Sequence, residues 1–472
     1  SMIAGKVTDG TFSKYNIKSY FIIFRYLENL LHKDENVKTI FNIVKSANAK
    51  AWIVGGAIRD YLINQEIYDI DFVIDIDIHL FLEKIDKKNI KINTININYK
   101  TISIILNNKE YQITSFRKDL ISFGRSAIVD FTFTLHEDAK RRDFTINALY
   151  LDEKGNLIDP FGGYNDIMNK KLRFIGDPIN RIDEDYLRII RFCRFFGTFS
   201  KVDILKNLKR KIIKKVNKIS ILSNMRVRNE LSKILMVKNF ELCLSMIVTL
   251  QLDKYMLIPN SKSNKINNHS GFKTKDFKVI KYIKKNGLNS INHEKLDLIS
   301  IAMLHLYNLE NIEMIIKRFE LNKRKIKFVN FIIQLKNLKL KVNQNITKKL
   351  TSKEIELYIL KIIWEYRCKI NIENKGFFIR DRIPFNWYKF GLLHVLPIEI
   401  IKQIDLFNLE WPILTLTRKK IQNLQDKTYF KNIDDLIFKA EDFWVNNNFN
   451  SSPENILIFL ESYLDKEIRY DN

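Results

Sequence analysis

A short N-terminal stretch combines a glycine turn with two closely spaced carboxylates. An apolar run that begins at Trp52 ends at Gly55 and Gly56, and Asp69 and Asp71 follow beside a second apolar run. Side chains two residues apart on a strand share a face, so these carboxylates are expected to lie together. They repel unless a cation lies between them, and Mg²⁺ prefers oxygen ligands of this kind. Because amide groups at a helix start bind phosphate, the pattern predicts metal-assisted phosphoryl or nucleotidyl transfer.

A second polar motif contains Arg142, Asp143 and Asn147. Asp143 and Asn147 are four residues apart, so they would share one face of a helix. A carboxylate and an amide can bind ribose hydroxyls, and a guanidinium group binds phosphate through paired N–H groups. Taken alone, the same residues are also typical of a salt-bridged surface helix.

A third motif places Asp185, Arg188, Arg191 and Arg194 at intervals of three residues. Cytosine and adenine both present an exocyclic amine beside a ring nitrogen acceptor, and a carboxylate with a guanidinium group complements that pair. Uracil and guanine present the reverse pattern, which would leave groups unpaired at a cost of about 1–3 kcal/mol each. Asp185 and Arg188 could therefore select C and A without a template. A basic amphipathic helix would explain the arginines but not the carboxylate.

In this order the motifs resemble the DNA polymerase β-like nucleotidyltransferases. The similar branch holds class II tRNA nucleotidyltransferases (CCA-adding enzymes) and bacterial poly(A) polymerases, and the resemblance covers residues 50–232. It implies two Mg²⁺ ions on the catalytic pair Asp69 and Asp71, with tRNA, CTP and ATP as partners and substrates. The nucleotide-binding residues that it implies are Gly55, Gly56, Arg59, Arg142, Asp143, Asn147, Asp185, Arg188, Arg191 and Arg194.

The resemblance also implies a hinge after the catalytic head and a helical neck held by charged residues. The hinge residues would be Asp159, Gly162 and Gly163. The residues that would stabilise the neck are Glu184, Arg226 and Glu230.

One position departs from the family pattern, which has Glu where Gln112 stands. Glu110 shares a strand face with Gln112, and either could lie near the carboxylate pair if the strands are neighbours. Residues 118–135 are expected to form a surface loop on general grounds. The resemblance implies that this loop helps to switch from C to A addition.

The favoured function is template-independent, Mg²⁺-dependent addition of CCA to the 3′ end of tRNA, with release of pyrophosphate. A poly(A) polymerase is the nearest alternative, but the basic Gly-Arg-Arg-Phe-like segment associated with it is absent before Arg142. CC-only or A-only addition stays open because loop differences decide it. An inactive RNA-binding paralogue is the alternative from another class. Asp69 and Asp71 argue against it, since a silent protein has no need for a repelling pair.

Composition indicates a folded protein with a polyanionic partner. A chain of 472 residues is too long for a single hydrophobic core. Of its residues, 46% are hydrophobic, and its net charge is +25. The charge favours nucleic acid or an anionic membrane surface, although a coding bias toward Lys explains part of it. Three widely spaced cysteines indicate neither a disulfide framework nor zinc, and no apolar run is long enough for a bilayer. We expect a cytoplasmic protein, without a membrane or protein partner, and leave an organellar location open.

These features predict an α/β nucleotidyltransferase head followed by an all-α neck, body and tail. Strands near 52, 71, 101–106 and 110–116 would form a small mixed sheet flanked by helices. The predicted domains are a helical extension at 1–48, the head at 49–170, the neck at 171–250, and a tRNA-binding body and tail at 251–472.

Overall fold

The computed structural model divides the chain into two compact units, Ser1–Asn268 and His269–Asn472. The predicted domain boundaries stay predictions. Most of the helical extension predicted at 1–48 and residues 124–125 of the loop expected at 118–135 lie outside the described residues. The structure describes residues 34–67, 69–87, 90–123, 126–132, 134–202, 205–257, 271–307, 312–337, 350–370, 384–428 and 432–470.

The first unit begins with alternating strands and helices and continues with helices. Its strands are β1 (Ala51–Val54), β2 (Asp71–Ile74), β3 (Lys91–Asn93), β4 (Thr101–Leu106), β5 (Lys109–Ser115), β6 (Arg117–Phe123), β7 (Ser126–Phe131), β8 (Tyr150–Leu151) and β9 (Leu157–Ile158). Its α-helices are α1 (Glu35–Ser46), α2 (Gly56–Leu62), α3 (Ile78–Lys84), α4 (Leu135–Lys140), α5 (Gly163–Met168), α6 (Pro178–Glu184), α7 (Leu187–Phe196), α8 (Leu205–Ile213), α9 (Asn224–Met236) and α10 (Phe240–Thr249).

Within the described residues, seven strands form one mixed sheet in the order β3-β4-β5-β2-β1-β8-β9. β2 and β5 run parallel, whereas the other neighbouring strands run antiparallel. β6 and β7 form a separate antiparallel hairpin. The predicted mixed sheet is therefore confirmed.

The two faces of the sheet differ because side chains alternate along each strand. On one face, the buried Phe72 of β2 meets Phe41 of α1 edge to face. The opposite face carries Val54, Val73 and Tyr150, which pack in one cluster with Ala139 of α4. This second face also carries Asp71, which is exposed at the start of β2, beside the cluster that α4 covers.

The residues of the third motif do not lie on one continuous helix. Helical structure is interrupted at Asp185, whose backbone is extended with φ −155°, so α6 ends before it and α7 begins after it. The Asp185 carboxylate accepts a hydrogen bond from the Leu187 backbone N–H. A short side chain that bonds the backbone favours such a break. Asp185 therefore lies outside the helix that carries Arg188, Arg191 and Arg194.

In the described ranges of the second unit, every regular element is helical. Its buried packing includes an ion pair of 3.1 Å between Arg367 and Glu441 and stacked rings of His305 and His394, with centroids 3.6 Å apart. No described helix is long and apolar enough to cross a bilayer. The helices are α11 (Phe277–Asn286), α12 (Leu288–His293), α13 (Leu298–Leu306), α14 (Ile312–Arg318), α15 (Lys323–Asn337), α16 (Ser352–Ile370), α17 (Phe385–Leu392), α18 (Ile398–Ile401), α19 (Arg418–Thr428), α20 (Ile433–Asn446) and α21 (Pro453–Tyr470).

Gly163 lets α5 contact the backbone that precedes Asn147, so we expect Gly163→Ala to destabilise the first unit. An added Cβ would overlap the Thr145 carbonyl group, whose carbon would lie only 2.8 Å away. The expected loss of unfolding free energy is about 1–3 kcal/mol, measured by urea denaturation. Gly56→Ala is the control, because its Cβ would meet only the end of the Arg59 side chain at 3.6 Å. Equal losses in the two variants would contradict the backbone overlap.

Candidate active site in the head

The glycine turn brings the first and second motifs together. Gly55 follows β1 with φ +73°, a conformation that favours glycine, and α2 begins at Gly56. A Cβ built on Gly55 would lie 3.3 Å from the Asn147 carbonyl oxygen and 3.6 Å from Arg142 Nη1. Glycine at this position therefore lets the Asn147 backbone and the Arg142 guanidinium group lie close to the turn.

Asp69 and Asp71 lie next to this turn, but only Asp71 belongs to the strand. Asp71 pairs with Val54, the last residue of β1, and the chain turns away at Gly55. Asp69 therefore has no partner on β1, and the prediction that both carboxylates share a strand face is wrong in that detail. Their charges nevertheless interact. The pKa of Asp71 is raised, mainly because the surrounding protein displaces water. The negative charge of Asp69 raises this pKa further, whereas the positive charge of Arg142 lowers it.

The pair Asp69 and Asp71 fits Mg²⁺ better than a metal held by protein groups alone. In the part of the chain that the structure describes, no group of three or more His, Cys, Asp or Glu residues is placed to hold a metal ion. Mg²⁺ commonly binds through one or two carboxylates together with substrate phosphates. Two carboxylates whose charges disfavour each other supply that kind of donor set.

Arg142 is held from behind by the buried carboxylate of Asp138. Its Nε and Nη2 atoms donate to Asp138 Oδ2 at 3.2 and 3.0 Å, and the Tyr150 hydroxyl donates to the same oxygen at 2.8 Å. Burial alone would raise the pKa of Asp138, but the Arg141 and Arg142 charges hold it well below its usual range. Arg142 is therefore fixed with Nη1 on the side of Gly55.

Asp143 and Asn147 touch each other, but not as neighbours on the predicted α-helix. A 3₁₀ turn over Thr145–Asn147 carries the amide, whose Nδ2 donates to Asp143 Oδ1 at 2.9 Å. Arg191 Nε donates to Asp143 Oδ2 at 2.5 Å, and Arg59 Nη1 donates to Asn147 Oδ1 at 2.6 Å. Despite burial, the Arg191 charge lowers the pKa of Asp143. A ribose bound here would share these bonds or replace them.

The arginines of α7 form a cationic cluster with one shared carboxylate. Arg191 Nη1 and Arg194 Nε lie 3.3 and 2.8 Å from the carboxylate oxygens of Glu230, which belongs to α9. The guanidinium groups of Arg194 and Arg59 lie 4.1 and 4.9 Å from the centroid of the Phe195 ring. Burial lowers the pKa of Arg194 to about 10, and the charges of Arg191 and Arg59 also disfavour its protonated form. An anion near this cluster would be stabilised.

Asp185 and Arg188 are each oriented by one of the residues expected to stabilise the neck. Asp185 Oδ2 accepts a hydrogen bond of 2.6 Å from Arg226 Nη2. Arg188 Nη1 donates to Glu184 Oε2 at 2.6 Å and to the Arg181 carbonyl oxygen at 2.7 Å. Glu184 and Arg226 therefore contact the two predicted base-selecting residues.

Asp159, Gly162 and Gly163 form the start of α5. Asp159 accepts hydrogen bonds from the backbone N–H groups of Gly163 and Tyr164 at 2.8 and 2.9 Å. Burial raises the pKa of Asp159, and these donors partly oppose that rise. Gly162 has φ +74°, whereas Gly163 is outside the left-handed region. At Gly163 the absence of a side chain instead allows a close contact with the Thr145 backbone.

Comparison with known proteins finds a family model that matches part of the first unit. Residues 51–173 match the family model described as the poly A polymerase head domain. The matched segment contains the glycine turn, the carboxylate pair and the Arg142–Asn147 motif, whereas Asp185 and the α7 arginines lie beyond the matched residues.

Curated relatives of the chain align with the head domain and beyond. A CCA-adding enzyme of Streptococcus gordonii is 38% identical over 176 residues, which are 37% of this chain and 43% of the relative. The Homo sapiens protein named CCA tRNA nucleotidyltransferase 1, mitochondrial, is 34% identical over 232 residues, 48% of this chain and 54% of the relative. The chain thus spans about half the length of the curated relatives it matches.

Solved structures share the fold over more of the chain. The Bacillus stearothermophilus CCA-adding enzyme in complex with CTP has a TM-score of 0.56 and 17% identity, covering 93% of this chain and 100% of that chain. The Thermotoga maritima CCA-adding enzyme complexed with tRNA has a TM-score of 0.61 and 18% identity, covering 93% and 99%. The predicted fold, a nucleotidyltransferase head followed by helices, is confirmed.

Sequence reasoning missed Asp138 and Tyr150, which position Arg142 in the head domain. Asp138 precedes Arg142 by four residues, a spacing that indicates an ion pair on a helix. That spacing was the available signal. Nothing in the local sequence indicated that Tyr150 of β8 would reach the same carboxylate.

Because Asp138 is fully buried, we expect Asp138→Asn to lower the unfolding free energy of the head domain by about 3 kcal/mol. The substitution removes the negative charge that two guanidinium groups share, while it preserves side-chain size. Tyr150→Phe is the matched control, because it deletes one hydrogen bond to the same oxygen and should cost only about 1 kcal/mol. Urea unfolding followed by tryptophan fluorescence measures both. Equal losses would show that the charge of Asp138 is not what holds the arginines.

Proposed function

We propose that the protein adds CCA to the 3′ end of tRNA without a template, using CTP and ATP and releasing pyrophosphate. One observation carries the proposal: a glycine turn, a fixed arginine and a pair of carboxylates meet at one edge of a poly A polymerase head domain. The named activity of the curated relatives and of the structures that share the fold supports the same choice.

Asp69 and Asp71 would hold two Mg²⁺ ions, which supply activation of the RNA 3′-hydroxyl and neutralisation of the triphosphate charge. The chain's own groups then bind and orient the nucleotide. Arg142 offers Nη1 beside the Gly55 turn as a hydrogen-bond donor to a phosphate. The guanidinium groups of Arg59, Arg191 and Arg194 lie around the Phe195 ring and would donate hydrogen bonds to the same anion.

Nucleotide selection would depend on the residues that the neck helices orient. Asn147 and Asp143 would contact the ribose, and Asp185 and Arg188 would read the amine and the ring nitrogen of the base. Arg226 and Glu184 support this role by fixing one part of each side chain before the nucleotide binds. A side chain that is already oriented loses less conformational entropy when the nucleotide binds.

The net charge of +25 supports tRNA as the polyanionic partner. We propose the cytoplasm as the location. A mitochondrial relative exists, and tRNA, CTP and ATP occur together in both compartments.

The direct test supplies purified protein with Mg²⁺ and a tRNA that lacks its last three nucleotides. With CTP and ATP together, products resolved at single-nucleotide length should stop after three additions. The Asp69→Ala variant should add nucleotides at least about 1000-fold more slowly, since it removes a metal ligand that stabilises transition-state charge. A long ladder with ATP alone would replace the proposal by a poly(A) polymerase, and a stop after two C residues would restrict it to CC addition. No incorporation by the intact chain would contradict it.

Substitution of Arg188 tests base selection separately from chemistry. Arg188→Ala should reduce the preference for CTP over UTP by about 10- to 100-fold, because a donor to the ring nitrogen is lost. The measurement is the ratio of kcat/KM for the two nucleotides, which does not depend on the fraction of active protein. Lys215→Ala is the control, since Lys215 pairs with Asp183 at the surface. An unchanged preference in Arg188→Ala would refute the base-reading role.

A further inference from the structure

In the described part of the chain, the sheet places an amide side chain that has no hydrogen-bond partner directly beside the catalytic carboxylate. Asp71 of β2 pairs with Gln112 of the parallel strand β5, and Gln112 pairs in turn with Ser103 of β4. Residues paired across neighbouring strands point to the same face, and adjacent strands lie about 4.8 Å apart. Asp71, Gln112 and Ser103 therefore form a polar row across three strands.

This row has no internal hydrogen bonds that would explain its polarity. Within the described residues, the side chains of Gln112 and Ser103 form no hydrogen bond to protein groups, and Gln112 is exposed. Ser103 is buried nonetheless. A hydroxyl and an amide side by side on one face of the sheet, both without a partner among the described protein groups, can donate to and accept from a polar ligand.

The same register decides between Gln112 and Glu110 as the neighbour of the carboxylate pair. Glu110 pairs with Ile105 and lies two residues earlier on β5, roughly 6–7 Å along the strand from Gln112. Gln112 is the residue level with Asp71. The neighbouring position thus carries a neutral group that can both donate and accept hydrogen bonds, rather than another negative charge.

The two sides of Asp71 differ in charge. The strand order places β1, with the glycine turn, and β8, with Tyr150 and the nearby Arg142, on one side of β2. β5 and Gln112 lie on the other side. In an in-line displacement assisted by metal ions, the attacking and leaving oxygens occupy opposite sides of the metal pair. The cationic side suits the triphosphate, so the side of Gln112 is where the attacking hydroxyl arrives.

We infer that Gln112 binds the terminal ribose hydroxyls of the acceptor RNA and positions its 3′ end beside Asp71. This inference rests on the proposed nucleotidyl transfer, because it takes the acceptor from that reaction. It assigns Gln112 to substrate binding and not to the metal ligands.

The test is a double-mutant cycle on acceptor binding. Intact protein and Gln112→Ala are titrated with tRNA lacking CCA that ends either in an ordinary nucleotide or in a 2′,3′-dideoxynucleotide. Fluorescence anisotropy gives Kd at fixed salt with Mg²⁺ and a non-reactive CTP analogue. Loss of the hydroxyls should weaken binding to the intact protein about 5- to 10-fold, the effect of one or two hydrogen bonds. Gln112→Ala should bind both acceptors equally weakly.

Two further arms separate this inference from its competitors. Glu110→Ala, on the same strand face, should retain the difference between the two acceptors. Mn²⁺ binding to the protein without RNA, followed by electron paramagnetic resonance, should be unchanged in Gln112→Ala. An equal hydroxyl effect in intact protein and Gln112→Ala would overturn the inference, as would weakened Mn²⁺ binding in that variant. Incorporation by the intact protein reports on the proposed function independently, so an active enzyme with an unchanged cycle would refute only the role of Gln112.

Discussion

The buried charge of Asp138 is the constraint on which the cationic half of the site depends. Its carboxylate has no access to water, so the hydrogen bonds from Arg141, Arg142 and Tyr150 must stabilise it. Asp138 also accepts a bond from the Arg117 backbone at the start of β6. One carboxylate therefore connects α4, the sheet strand β8 and the hairpin. Its two arginines cannot leave without exposing an unpaired charge to the protein interior, and this fixes Arg142 beside the glycine turn.

A second set of ion pairs joins the neck helices of the first unit to the head domain. Arg191 contacts both Asp143 of the head and Glu230 of α9, and burial strengthens such charge-assisted bonds. Arg59 reaches from α2 to Asn147, while its guanidinium group lies over the Phe195 ring of α7. The nucleotide-binding site is thus formed by residues of the head domain and residues of the neck helices together. The guanidinium groups of Arg59, Arg191 and Arg194 are paired with the carboxylates of Asp60, Asp143 and Glu230, and a bound triphosphate would compete for the same donors.

The sheet gives the site its asymmetry. Asp71 stands between β1, where the chain turns at Gly55, and β5, where Gln112 occupies the paired position. Positively charged side chains lie on the first side because Tyr150 of β8 and Asp138 of α4 bind the Arg142 guanidinium group there. On the second side, the residues level with Asp71 are the uncharged Gln112 and Ser103. A reaction that brings a triphosphate and a hydroxyl together from opposite directions fits this distribution of charge.

The sequence by itself determined the chemistry of the motifs and the class of fold. Apolar runs and turn residues located the strands near 52 and 71, and the spacing of Asp69, Asp71, Arg142 and Asn147 indicated nucleotidyl transfer. These features are local, so they can be read from neighbouring residues. Only the tertiary structure decided that Gln112 and not Glu110 is level with Asp71, because strand register depends on hydrogen bonds between segments far apart in the chain. It also decided that Asp185 interrupts the predicted helix, that Gly163 serves a close contact, and that Asp138 holds Arg142. Each of these depends on which groups packing brings together, and no local spacing specifies that.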